Sequence, residues 1–274
     1  MTRAIHLQIA LLAGLLGLWA DAAPAATGSK PERFAIVAAV SEYNQADPEL
    51  SNLLFATRDM VSMKQVLEAQ GYTVLQLQNA KATATNIRDL LRGLRSLVVS
   101  PKYATVVFYF VGHGFACGGD NYLATHGSNV DEILQKGLAM DEVKQLLHQT
   151  GAAQRLAIID ISRRDPDRKH DGRPCVGRNF FVQSDTKVLF STSPGQFSYE
   201  EPALEQGRFT HFLVRALRGE AAGEDGYISW DNLKHFMFAS MRAYSMNTLN
   251  RVQTPWAEEP STGDVLIGKA LARQ

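Results

Sequence analysis

Thr105 to Val111 reads TVVFYFV, and Gly112-His113-Gly114 follows at once. The run is β-branched and aromatic and carries no charge. It fits a strand covered on both faces better than one that faces water. Reading outward finds more such runs. Phe34–Val40 (FAIVAAV) and Leu156–Ile161 (LAIIDI) are short, continuous and apolar. Tyr72–Leu77, Lys187–Ser193 and Val265–Ile267 are further strand candidates. Between them the apolar period changes to that of a helix. Arg58–Gln70 puts Met60, Met63, Val66 and Leu67 on one face and stops at Gly71. Ile87, Leu90, Leu91, Leu94, Leu97 and Val98 define a second helix, with Thr85 as its expected cap. Asp141–His148, Phe209–Leu217 and Trp230–Met241, the last capped by Ser229, complete the set. Strands that alternate with helices predict an α/β fold, a mostly parallel sheet with helices on both faces. No internal repeat or Pro- or Gly/Ser-rich linker divides the chain.

Composition narrows the function classes. The 274 residues carry 28 Lys and Arg against 28 Asp and Glu. That balance leaves no global field to hold nucleic acid, so no nucleic-acid partner is expected. An apolar share of 45% is too high for a disordered chain. The first residues read as an address. Arg3 is followed by the apolar run Ile9–Trp19 and then by Ala20-Asp21-Ala22-Ala23-Pro24-Ala25-Ala26. This is the pattern of a secretory signal peptide, over residues 1–25, with cleavage between Ala22 and Ala26. The other reading is an uncleaved anchor, but a spanning helix wants about 20 apolar residues. The expectation is export to a periplasm or the medium, with no integral membrane segment after cleavage. One folded domain is expected over residues 30–270.

In open α/β sheets, ligands bind beyond the carboxyl ends of the strands. Two such ends carry reactive groups. One delivers His113 between two glycines; the other delivers Asp160 and Ser162. A histidine at one strand end and a nucleophile at the next is the layout of a two-residue acyl-transfer site. Asp160 stands out because a carboxylate inside an apolar run is costly to bury without a partner. Its structural alternative is a bond to backbone N–H groups or to Arg163. Arg163–Arg173 holds eight charged residues in eleven and reads as a solvated loop.

Taken in order, these segments resemble the caspase/metacaspase family, especially its bacterial members. Tyr109-Phe110-Val111-Gly112-His113-Gly114 and Asp120-Asn121-Tyr122-Leu123 are similar to its histidine motif. Ile158-Ile159-Asp160-Ile161-Ser162-Arg163-Arg164-Asp165-Pro166 is similar to its second motif, in which a cysteine follows two residues after the Asp. Ser191-Thr192-Ser193-Pro194-Gly195-Gln196, Gly207-Arg208-Phe209-Thr210, Asp225-Gly226-Tyr227-Ile228-Ser229 and Gln253-Thr254-Pro255 resemble its later motifs. The resemblance implies a caspase-like three-layer sandwich around a six-stranded, mostly parallel sheet. It implies a peptidase of the cysteine type, with no cofactor and no metal. His113 would be the catalytic histidine, and the Gly114 N–H would belong to the oxyanion hole. Asp160 and Glu200 would line a pocket for an Arg or Lys side chain, so the implied partner is a peptide or protein with a basic residue.

The chain departs from that family at one position. Ser162 stands where the nucleophilic cysteine belongs. A thiol is a few per cent ionised at neutral pH, and a hydroxyl is not. Serine peptidases compensate by holding their histidine with a carboxylate, and a caspase-type dyad has no evident third member. Ser162 is therefore expected to be a poor nucleophile, and the protein a catalytically silent member that binds peptides. The alternative is an endopeptidase that uses Ser162 with His113. Cys117 and Cys175 are assigned to loops at the same end of the sheet. In an exported protein the simplest expectation is a disulfide between them, contributing roughly 2–5 kcal/mol. Two other readings stay open. One cysteine replaces the missing thiol, or His113, Cys117, His170 and Cys175 form a zinc set, although their spacing matches no known finger.

Overall fold

The computed structural model describes residues 32–43, 50–117, 120–130, 132–163, 184–247, 251–260 and 263–272. The expected signal segment, Arg164–Arg173, His170 and Cys175 lie outside the described residues.

A single sheet organises the molecule. Its strands run in the order β2 (Thr73–Gln78), β1 (Arg33–Ala39), β3 (Thr105–Val111), β7 (Gln154–Asp160), β8 (Lys187–Phe190) and β12 (Trp256–Glu258). The first five are parallel, and β12 pairs antiparallel with β8. The six-stranded, mostly parallel sheet is therefore as expected. Alternate side chains of the apolar strands feed two separate cores. Ile36, Val106, Phe108, Phe110 and Ile159 pack with the helices α2 (Ala84–Leu97) and α4 (Met140–Gln149). Val37, Val107, Tyr109 and Ile158 pack on the other face with α1 (Ala56–Ala69), α5 (Arg208–Arg215) and α6 (Trp230–Met246). Burial on both faces is why these strands read as continuous runs rather than alternations.

Several boundaries differ from the expected ones for local reasons. Thr83, not Thr85, caps α2, with its hydroxyl accepting the Asn86 N–H. β8 stops at Phe190 because the next two side chains turn to the neighbouring strand end. Ser191 Oγ accepts from Ile161 N and donates to Ile161 O, which Thr192 Oγ1 also reaches. α5 ends at Arg215, and a π-type turn, Ala216–Glu220, continues it. Small antiparallel sheets were not predicted, and the strand candidate Val265–Ile267 falls in one of them rather than in the main sheet. β4 (Gly114–Cys117), β5 (Asp120–Leu123) and β6 (Leu138–Ala139) form one, after the single helical turn α3 (Ile133–Lys136). β9 (Glu200–Glu201) pairs with β10 (Gln206–Gly207), and β11 (Tyr227–Ser229) with β13 (Leu266–Lys269). Two to four residues are too few to show a period. Cys117 thus closes a strand rather than lying in a loop. Arg163, expected in a solvated loop, is buried instead. Its Nε donates to Asn121 Oδ1, its Nη1 to Thr192 O, and its guanidinium lies 4.2 Å from the Phe190 ring centroid. Among the described residues, no helix is long and apolar enough to cross a membrane.

Candidate active site

The strand register brings His113 and Ser162 to one level. β3 and β7 are parallel neighbours with Val111 opposite Asp160, and Gly112 N donates to Asp160 O at 3.2 Å. Two residues beyond each end come His113 and Ser162. Both line a small pocket of about 70 Å³, together with Asp59, Asp160, Ser198 and Glu200. This is the carboxyl end of the sheet, next to the point where the strand order reverses from β1 to β3.

His113 is held from two sides. Its backbone N–H donates to the Tyr43 hydroxyl at 2.8 Å, and that hydroxyl donates to Ala124 O at 2.9 Å. The Tyr43 ring meets the imidazole edge-on, with centroids 4.8 Å apart. The close approach explains Gly112, since a Cβ there would lie 2.6 Å from the Tyr43 hydroxyl. On the imidazole, Nε2 lies 2.7 Å from the carbonyl oxygen of Ser51. A carbonyl only accepts, so Nε2 carries the hydrogen, and in the neutral ring Nδ1 is the nitrogen that can take a proton. The partner of this nitrogen is a backbone carbonyl, which no side-chain pattern in the sequence can announce. Tyr43→Phe would leave the His113 N–H and the Ala124 carbonyl without this partner, and should cost about 1–3 kcal/mol in urea unfolding.

Gly114 faces Leu123 in the β4–β5 ladder, and Ala124 N donates to His113 O at 3.0 Å. That bond flanks the Gly114–Leu123 pair, which makes it a non-hydrogen-bonded pair. The Gly114 N–H therefore points away from β5, as an oxyanion donor requires. Ser162 Oγ accepts the Ser198 N–H at 3.1 Å.

The pocket floor is acidic. Asp160 is buried, but neither backbone N–H groups nor Arg163 hold its carboxyl. Hydroxyls do: Ser198 Oγ donates to Oδ1 at 2.6 Å and Thr210 Oγ1 to Oδ2 at 2.8 Å, and the Ser191 hydroxyl also favours the charged form. Burial raises this carboxyl above its ordinary range, and the hydroxyl donors oppose that rise. A second buried acid, Asp59 on α1, stands beside it. Both oxygens of Asp59 accept the Gly207 N–H, at 3.1 and 3.0 Å. A Cβ added at Gly207 would sit 2.7 Å from Asp59 Oδ2 and 3.3 Å from Asp160 Oδ2, so only glycine leaves the two acids facing each other. Burial, with Asp160 next in weight, pushes the Asp59 carboxyl up to about 8. Glu200 joins from β9. Its oxygens accept the N–H groups of Leu54 and Phe55 at 3.0 and 2.6 Å, so it also caps the N-terminus of α1.

Reading the sequence for sites pointed to His113, Ser162, Gly114, Asp160 and Glu200; His113, Ser162, Asp160 and Glu200 line one pocket, and Gly114 follows His113 at the start of β4. It missed Asp59, Tyr43, Ser51 and Ser198. Asp59 had a signal, because it is the lone acid on the apolar face formed by Ala56, Met60 and Met63.

A parallel sheet ending in a histidine and a hydroxyl beside an acidic pocket defines a caspase-type architecture. The chain belongs to the caspase-domain family, whose sequence model matches residues 32–266. It is similar in fold to caspase-1 from Spodoptera frugiperda, with a TM-score of 0.62 at 18% identity over 92% of this chain and 99% of that one. A protein of Geobacter sulfurreducens superposes with a TM-score of 0.59 at 14% identity, over 88% of this chain and 98% of that one. No curated protein matches the sequence.

Proposed function

We propose that this caspase domain binds peptides through an Arg or Lys side chain and holds them without cutting them. The observation that carries the reading is the pocket itself. Three carboxyl groups, Asp59, Asp160 and Glu200, line it, and among the described residues no Lys or Arg does. His113 and Ser162 line the same space. A cationic side chain entering this space meets fixed acceptors, and an acidic one meets repulsion inside a poorly screened site. The missing thiol argues for binding over cleavage, because neither the pocket nor the dyad geometry makes a hydroxyl as acidic as a thiol.

A second reading has an observation of its own. The Ser51 carbonyl holds the His113 imidazole in the tautomer that a general base needs, as the third member of a serine triad does. On that reading Ser162 and His113 form a slow but working endopeptidase.

Fluorescence anisotropy with two labelled peptides tests the main proposal. They differ only at one residue, Arg in one and Glu in the other. The Arg peptide is expected to bind at least ten times more tightly, with the difference shrinking in high salt. Equal affinities would remove the pocket from the account. The expected export and the Cys117–Cys175 disulfide are proposed on the sequence alone. Mass spectrometry of the secreted, non-reduced protein checks both.

A further inference from the structure

Ser198 touches both halves of the site. Its backbone N–H donates to Ser162 Oγ at 3.1 Å, and its own hydroxyl donates to Asp160 Oδ1 at 2.6 Å. Something must aim that hydroxyl, and Gln253 does. The Gln253 side chain is wholly buried, and its Nε2 donates to Ser198 Oγ at 3.0 Å and to Ser191 O at 3.1 Å. Its Oε1 accepts the Tyr199 N–H at 3.2 Å. The amide thus anchors on the end of β8 and grips two successive residues of the 198–199 segment. With Gln253 donating to it, the Ser198 hydroxyl has its own proton directed at Asp160.

We propose that Ser198, oriented by Gln253, is the positioning residue that keeps the pocket acid Asp160 in its cation-binding form and ties it to the nucleophile position. The proposal rests on the basic-peptide reading above. Asp160 is buried among groups that disfavour its charge. Asp59 faces it from α1 and Glu200 from β9, while the buried phenol of Tyr109 on β3 reaches it only through Thr210. His113 lines the same pocket from the loop after β3. Arg208, on α5, is spent on Glu201 and the Arg251 carbonyl. Against these stand the hydroxyls of Ser198, Thr210 and Ser191, with Ser198 first in weight. Without the Ser198 hydroxyl, Asp160 holds its proton to higher pH, and a basic side chain meets a neutral acid.

The test is the pH dependence of Arg-peptide binding, measured by anisotropy from pH 5 to 9 on the natural chain and on Ser198→Ala. That substitution keeps the backbone N–H on Ser162 and removes only the hydroxyl. At pH 6 it should weaken binding roughly tenfold, and by much less at pH 9, which moves the rise in affinity to higher pH. Ser198→Thr, which restores a hydroxyl, should restore the profile. Ser198→Cys, nearly isosteric but a weak donor, should shift it like Ser198→Ala. If Ser198→Ala folds poorly, Ser198→Cys supplies the comparison. A variant with a uniformly weakened but unshifted profile would overturn the inference. Failure of the natural chain to prefer the Arg peptide over the Glu peptide would instead overturn the reading on which it rests.

Discussion

The Ser162→Cys protein is expected to cleave Arg- and Lys-containing peptides on the order of a hundredfold faster than the natural chain, or more. The expectation follows from what surrounds His113 and Ser162. The Ser51 carbonyl sets the histidine tautomer, and the Tyr43 hydroxyl fixes the backbone at His113. The register of β3 and β7 puts the two reacting residues at one level. The Gly114 N–H is not spent on β5. On the proposed reading, what the natural chain lacks is an acidic enough nucleophile. A thiol near pKa 8.5 gives a few per cent thiolate at neutral pH, and the imidazole beside it raises that share. Initial rates on fluorogenic peptides, with Ser162→Ala as the blank, measure the gain. No gain in the cysteine variant would mean that the geometry, and not only the atom, has been lost.

The second large effect concerns Asp59, and its two parts have opposite signs. Asp59→Asn should stabilise the fold and weaken the binding of basic peptides. In the native protein burial lifts this carboxyl from 3.8 to about 8. Between those values the native state keeps a proton that the unfolded chain releases. Unfolding therefore sheds a proton, and stability falls as pH rises from about 4 to about 8. Asparagine keeps an acceptor for the Gly207 N–H and removes that loss. The gain should be nil below pH 4 and on the order of 3–5 kcal/mol at pH 8. Urea titrations at several pH values measure it. In the same variant Arg-peptide affinity should drop roughly tenfold or more at pH 8, where the natural pocket can ionise. A destabilised variant with unchanged affinity would show that Asp59 is a structural acid and not part of the pocket. A buried acid that costs stability and faces a cleft is the pattern of a site kept for binding.

How much of this was legible in the sequence follows from the range of each interaction. The sheet was legible because TVVFYFV, FAIVAAV and LAIIDI are continuous, doubly buried runs. The small antiparallel sheets were not, because β9 and β10 have two residues each and exist only by pairing with each other. His113, Asp160 and Ser162 were legible because they end long strands. Glu200 was legible only through the family resemblance. Ser51 acts through a carbonyl that every residue has. Ser198 and Gln253 lie 55 positions apart in the chain and meet only in the folded state. Arg163 misled because its neighbours are charged, while the fold gives its guanidinium an aromatic face and two acceptors.

The most direct test of the account uses the natural chain alone. An Arg-containing peptide is held at a concentration that saturates binding by anisotropy, and the mixture is followed for hours by mass spectrometry. The account predicts a bound and intact peptide. Cleavage after the arginine, lost in Ser162→Ala, would contradict it and make Ser162 a working nucleophile.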